Sequence, residues 1–138
     1  MTGRRLQSVV AGISLVYDLV AGLVLLVATD RMAAWFGVRV PDPQIFVKLN
    51  ALFLIAVALG YIQPLRDPVT HRLYLWIFGV LLKGGGAIVF LADHYINGSP
   101  ASFLLFALSD GTLAVATLAA LLVRTEIGGG ASRIAARR

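Results

Sequence analysis

The chain has 138 residues, 59% of them hydrophobic and 14% charged, with a mean hydropathy of +0.85. Soluble domains carry about 25% charged residues, and no polar stretch here is long enough to fold alone, so a separate soluble catalytic domain is excluded. Cysteine is absent, which removes disulfides, thiol nucleophiles and thiolate metal sites, and the formal charge of +5 lies mostly in the termini and one loop, a pattern that fits membrane topology and anionic lipid headgroups rather than nucleic acid.

The first predicted span runs from Leu6 to Ala28, with Asp18 near its middle. Arg4 and Arg5 give it the basic start of a signal peptide. The apolar run is too long for one, Asp18 interrupts it, and no small-x-small cleavage site precedes Asp30, so the segment reads as a retained span. The following DRMAAWFGV predicts a short surface helix with Met32, Trp35 and Phe36 among the headgroups, stopped by Pro41 and Pro43, which launch the next span.

The second span covers residues 45–62, with Lys48 and Asn50 in its outer third. The third covers 73–91, where Lys83 is followed by Gly84, Gly85 and Gly86. That triplet predicts either close helix packing or a locally unwound segment whose carbonyls line a cavity. The fourth covers 102–123 and carries Asp110. Each span approaches the roughly 20 apolar residues that cross a hydrocarbon core, and only helices satisfy their own backbone there. The sequence therefore predicts an all-α integral membrane fold, an antiparallel four-helix bundle over 1–127, followed by a flexible basic tail, 128–138, that meets anionic lipid.

Basic residues set the expected orientation. Arg4, Arg5, Arg66, Arg72, Arg124, Arg133, Arg137 and Arg138 fall on one side, against Arg31 and Arg39 on the other, which places both termini in the cytoplasm of a bacterial inner membrane. Trp35, Phe46, Tyr61, Tyr74, Trp76, Tyr95 and Phe103 lie near span ends, as expected of interfacial aromatics.

The intramembrane charges fall on small-residue faces. Asp18 shares its face with Ala11, Ser14, Ala21 and Gly22; Lys83 with Trp76, Gly79, Gly86 and Ala87; Asp110 with Phe103, Phe106, Ala107, Ala114 and Thr117; and Lys48 heads a stripe of Ala51, Ile55 and Ala58. At about 1.5 Å per residue all four charges fit one layer. An isolated charge at a helix centre costs roughly 2.5–3.5 kcal/mol, so two Asp–Lys pairs are expected. Two meanings stand side by side: pairs that fix helix register, or a polar cavity in which Asp18 or Asp110 exchanges protons or Lys83 holds an anion.

His71 and His94 flank the third span at opposite ends and cannot ligate one haem or metal together. Asp93 and His94 read as a solvated loop, Asn97-Gly98-Ser99 matches a glycosylation sequon, and no nucleotide-loop or zinc-protease motif occurs. No cofactor and no metal site are expected.

Four short spans, intramembrane charges and the loop Arg66-Asp67-Pro68-Val69-Thr70-His71-Arg72 resemble small bacterial four-helix proteins of the broad DoxX-like group. The resemblance is architectural, covers the whole chain and maps no family catalytic residue onto it. It implies a place beside a quinone-coupled respiratory or sulfur-oxidising complex. The first expectation for function is a non-enzymatic accessory or assembly protein that binds another membrane protein or a second copy of itself. The alternatives are a small proton-linked carrier that uses the charged layer, and a quinone-binding redox subunit at Lys83 and Asp110.

Overall fold

A computed structural model describes residues 3–123. The basic tail at 128–138, and with it Arg124, Arg133, Arg137 and Arg138, lies outside the described residues. The fold is all-α. Helix α1 spans Gly3–Val27, and a short α2 spans Thr29–Phe36. Helix α3, Ile45–Gly60, runs on through α4, Ile62–Arg66. A turn of α5, Arg72–Tyr74, leads into a π-helical segment, Leu75–Leu82, and then into α6, Lys83–Asn97; a 3₁₀ turn, Ala101–Phe103, opens α7, Leu104–Leu122. Four of these rods, Gly3–Val27, Ile45–Arg66, Arg72–Asn97 and Ala101–Leu122, are long and apolar enough to cross a membrane.

The expected spans match these rods except at their ends. The third is the longest because its final turns, through Asp93, His94 and Asn97, are held from within. Asn97 Nδ2 and Ser99 Oγ both donate to Asp93, and His94 Nδ1 donates to the Ser99 carbonyl at 2.6 Å. Gly98, at φ +71°, then reverses the chain. The loop helix α2 also stops on a glycine: Gly37 adopts φ +69° and donates to the Ala33 and Ala34 carbonyls. Pro41 and Pro43, expected to end it, come only after this cap.

Close approaches fix an antiparallel arrangement. A Cβ on Gly22 would lie 2.8 Å from Ile55 Cγ1 and 3.0 Å from the Ala51 carbonyl oxygen, while Gly12 faces Leu65, so α1 and α3–α4 run in opposite directions. A Cβ on Gly79 would lie 2.7 Å from Thr117 Cγ2, and Gly111 faces Ala87, so the third and fourth rods are likewise opposed. The two pairs join where α1 meets α7, with Gln7 Nε2 donating to the Ala120 carbonyl at 3.0 Å. Helices α3 and α6 share no extended contact, which leaves one side of the bundle loosely closed.

The interior is narrow and built of small residues, with Ala11, Ala51, Ala58 and Ala120 fully buried. The outer faces carry bulky apolar side chains such as Leu81, Ile88, Leu108 and Val115, each about two-thirds exposed or more. That is the reverse of a water-soluble surface and suits hydrocarbon surroundings. Tyr61 and Tyr74 correct their expected interfacial place. Tyr61 is fully buried, its ring 5.0 Å from that of Tyr74, whose hydroxyl donates to the Val57 carbonyl. Trp35, Phe46 and Tyr95 are exposed.

The 67–71 turn is closed by Asp67, which accepts from the Thr70 hydroxyl at 2.6 Å and sits 3.9 Å from the Arg4 guanidinium. Those contacts, the Thr70 hydroxyl first, hold its carboxyl below the usual range. Its contribution to loop order is thus present above the ordinary aspartate pKa and fades as pH falls through the depressed one. Thr70→Val should raise the Asp67 midpoint in an NMR titration back toward the free value; an unmoved midpoint would refute the Thr70 contribution.

The glycines predict a contrast in unfolding measured in detergent. Gly22→Leu and Gly79→Leu should each destabilise by about 1–3 kcal/mol through overpacking. Gly85→Ala, where a Cβ meets nothing within 4 Å, should instead stabilise by up to about 1 kcal/mol, the usual gain of alanine over glycine inside a helix.

Candidate functional site

Lys83 begins α6 at the point where the π-helical segment ends. In a π-helix each carbonyl is bonded one residue further along, so residues four apart stay on one face. Leu75, Gly79, Lys83 and Ala87 are accordingly all buried, while Trp76, placed on that face by ordinary α-helical spacing, is 38% exposed. The wider turns aim Lys83 between α1 and α7.

There Lys83 Nζ donates to Asp18 Oδ1 at 2.6 Å and to Asp110 Oδ1 at 3.4 Å. Side chains of Lys83 and Asp18 are each 4% exposed, and that of Asp110 is 18% exposed. The ammonium also lies 4.7 Å above the Tyr17 ring, a cation–π contact. Ser109 Oγ donates to the Leu105 carbonyl at 2.8 Å, so the Tyr17 hydroxyl is the donor in its 2.7 Å bond to Ser109. Tyr17 is thereby fixed as one wall of the ion cluster.

Two separate Asp–Lys pairs were expected, and the geometry corrects this. One lysine serves both acids, and Lys48 stands apart from them. Lys48 Nζ donates to the Leu26 carbonyl at 2.6 Å and to Thr29 Oγ1 at 3.2 Å, while Thr29 Oγ1 donates to the Leu25 carbonyl at 2.6 Å. The last carbonyls of α1 have no helical partner and form the negative end of its dipole, so a cation starting the neighbouring helix settles on them.

The three clustered charges form the floor of a cavity of about 420 Å³. Its walls are largely apolar: Leu25 and Ala21 from α1, Met32 and Phe36 from α2, Val47, Phe53 and Leu54 from α3, and Phe90, Phe103 and Phe106 from the other pair of rods. Asn50 and Arg39 supply polar groups nearer the rim. The aromatic wall is one stacked group, with Phe36–Phe106 ring centroids 4.9 Å apart, Phe90–Phe106 5.3 Å and Phe36–Phe103 5.6 Å. Ser102 Oγ donates to the Phe36 carbonyl at 2.7 Å and ties α2 over this end of the bundle. Phe36 is therefore part of the cavity wall and not a headgroup anchor.

Gly84, Gly85 and Gly86 are regular helix, not an unwound segment. Cβ atoms on Gly84 and Gly86 would sit 3.6 Å from Ala114 Cβ and Asp110 Oδ2, so these two glycines let α6 lie against α7 beside the ions. Among the described residues no group of three or more His, Cys, Asp or Glu side chains is arranged to hold a metal.

Asp18, Lys83, Asp110, Asn50 and Gly86 were legible as candidates and line one cavity. Tyr17, Thr29, Phe36, Phe90 and Ser109 were missed. Phe36 sits on α2, which carries none of the clustered charges, while Phe90 follows Lys83 by seven residues on α6 and was open to the same helical spacing that singled out Gly86 and Ala87. Comparisons of the chain with protein-family models, curated proteins and solved structures found no match.

Replacing Lys83 leaves two carboxylates facing each other in an apolar interior. Lys83→Met should destabilise the bundle by about 3–5 kcal/mol. The triple variant Asp18→Leu/Lys83→Met/Asp110→Leu should recover most of that loss. Equal damage from the single and triple variants, measured by unfolding in detergent, would show that the ions are not coupled.

Proposed function

We propose that this chain is a multi-pass protein of a bacterial inner membrane, with both termini cytoplasmic, that acts as a small proton-linked carrier for an amphipathic molecule. The observation that carries this reading is the cavity whose apolar, aromatic walls end on Asp18, Lys83 and Asp110. A pocket of this size and lining takes a small ligand, with its apolar body against the rings and its polar end at the ions. One ammonium cannot neutralise two carboxylates. The cluster reaches zero net charge only when a proton, or a cationic group of the ligand, joins it, and uncompensated charge at this depth is costly. Ligand and proton thus bear on the same three residues, which is the requirement for coupling them.

An accessory or assembly role would draw its support from a closed, fully paired layer, and the cavity that reaches the ions favours the carrier instead. The aromatic stack of Phe36, Phe90, Phe103 and Phe106 favours a ring-bearing ligand, which supports a quinone-linked redox subunit as the second reading.

Gentle purification from native membranes, with mass spectrometry of what stays bound, should recover a small amphiphile from the wild type and lose it from Ala21→Phe, which fills the cavity. In liposomes under a pH gradient, Asp110→Asn should abolish proton movement while lowering stability by only about 1 kcal/mol, since Lys83 keeps its shorter bond to Asp18. Unchanged proton movement in Asp110→Asn would sink the carrier reading.

A further inference from the structure

A second set of polar side chains leads to the ion cluster from the side away from the cavity. Gln7, Ser14 and Asp18 lie along one face of α1, at 1%, 0% and 3% exposure, and Tyr61 at 0% lies across from them at the end of α3. Each carries a buried polar atom with no hydrogen-bond partner among the described residues: Gln7 Oε1, Ser14 Oγ, Asp18 Oδ2 and Tyr61 Oη. The Tyr61 hydroxyl faces Ser14 without making a direct bond to it.

Orphaned polar atoms buried this deeply are costly, and the usual remedy is internal water. Four on one track is a spatial pattern rather than scattered defects. At about 1.5 Å per residue, Gln7 to Ser14 is roughly 10 Å and Ser14 to Asp18 roughly 6 Å. One water with two bonds of about 2.8 Å bridges the shorter gap, and two or three waters bridge the longer. The outer end of the track lies near the N-terminus of α1, where Gln7 Nε2 holds the Ala120 carbonyl and the Arg72 guanidinium holds that of Leu121.

We infer that Gln7, Ser14 and Tyr61 hold a line of internal waters that carries protons between the N-terminal face of the bundle and Asp18 Oδ2, opposite to the cavity from which a ligand reaches the same cluster. A proton taken from bulk water at the Gln7 end passes along water and hydroxyl hydrogen bonds and arrives on the free oxygen of Asp18. Each hydroxyl returns to its starting state by accepting one proton and releasing another, so no other reactant is needed. Asp18 is faced there by Lys83 from α6, Asp110 from α7, Tyr17 beside it on α1, and Tyr61 and Tyr74. This deepens the carrier reading and rests on it for its physiological use, because it gives proton and ligand separate routes to one site.

Hydroxyl-radical footprinting of the full chain in nanodiscs tests the waters directly, since radicals formed from internal water label the side chains beside it. Corrected for intrinsic reactivity, Tyr61 should be oxidised several-fold more than Leu75 and Leu121, which are equally buried. Ser14→Val should remove that excess and leave labelling of Phe36 and Phe90 in the cavity unchanged. In liposomes the same variant should slow proton movement about tenfold while retaining the co-purified amphiphile. Tyr61→Phe, which deletes one hydroxyl and no packing, is the second variant should Ser14→Val fail to fold, and the same slowing is expected. A Tyr61 as protected as Leu75, or proton movement untouched by either variant, overturns the inference. Failure of the carrier reading looks different: the wild type then moves no protons although Tyr61 is labelled.

Discussion

A single ammonium held between two carboxylates inside an apolar bundle is the interaction on which this structure depends. Lys83 reaches Asp18 on one rod and Asp110 on another, so three of the four spans converge on one point. Hydrocarbon offers no solvation to any of these groups, and each is worth more to its neighbours than it would be in water. Other local features serve that contact. Gly86 lets α6 approach Asp110, Tyr17 closes one flank, and the π-helical turns give the lysine its direction.

The asymmetry of packing follows from it. The ion cluster ties α1, α6 and α7 together, whereas α3 is held to α1 by close apolar contact through Gly22, Ala51 and Ile55 and by Lys48 on the end of α1. With α3 recruited to one side and α6 to the other, the space between them is left to the cavity. Three spans joined at the ion cluster, and one held outside it by shape and by Lys48, give a bundle that is firmly joined through its middle and loosely closed along one side.

Much of this was legible in the sequence. Four apolar runs and their interrupting charges predicted the rods, and small residues three and four apart predicted which faces turn inward; Ala11, Ser14, Gly22, Ala107, Ala114 and Thr117 all do. The partners of the charges were not legible. Lys48 and Lys83 look alike as single lysines in apolar runs, and only the position of the α1 terminus shows that one of them meets carbonyls instead of acids. Trp76 was misplaced because its assignment assumed α-helical spacing, and nothing in Leu75–Leu82 announces wider turns. Tyr61 was assigned to the interface from its distance along the span, yet the short α4 continues past it and turns it inward. The aromatic wall was partly visible: Phe103 and Phe106 share a rod with Asp110 and Phe90 shares one with Lys83, but Phe36 comes from the loop helix α2.

The π-helical segment has a consequence for how this sequence tolerates change in length. Loops ordinarily absorb insertions and deletions while helices resist them mildly, by shifting an end. Within Leu75–Leu82 each carbonyl bond already spans one residue more than in an α-helix, so the loss of one residue would let the segment relax to ordinary α-helix and leave the direction of Lys83 largely unchanged. The eight residues that carry no charge and make no ion contact therefore give this span a place where its length can change by one residue without displacing the charged site.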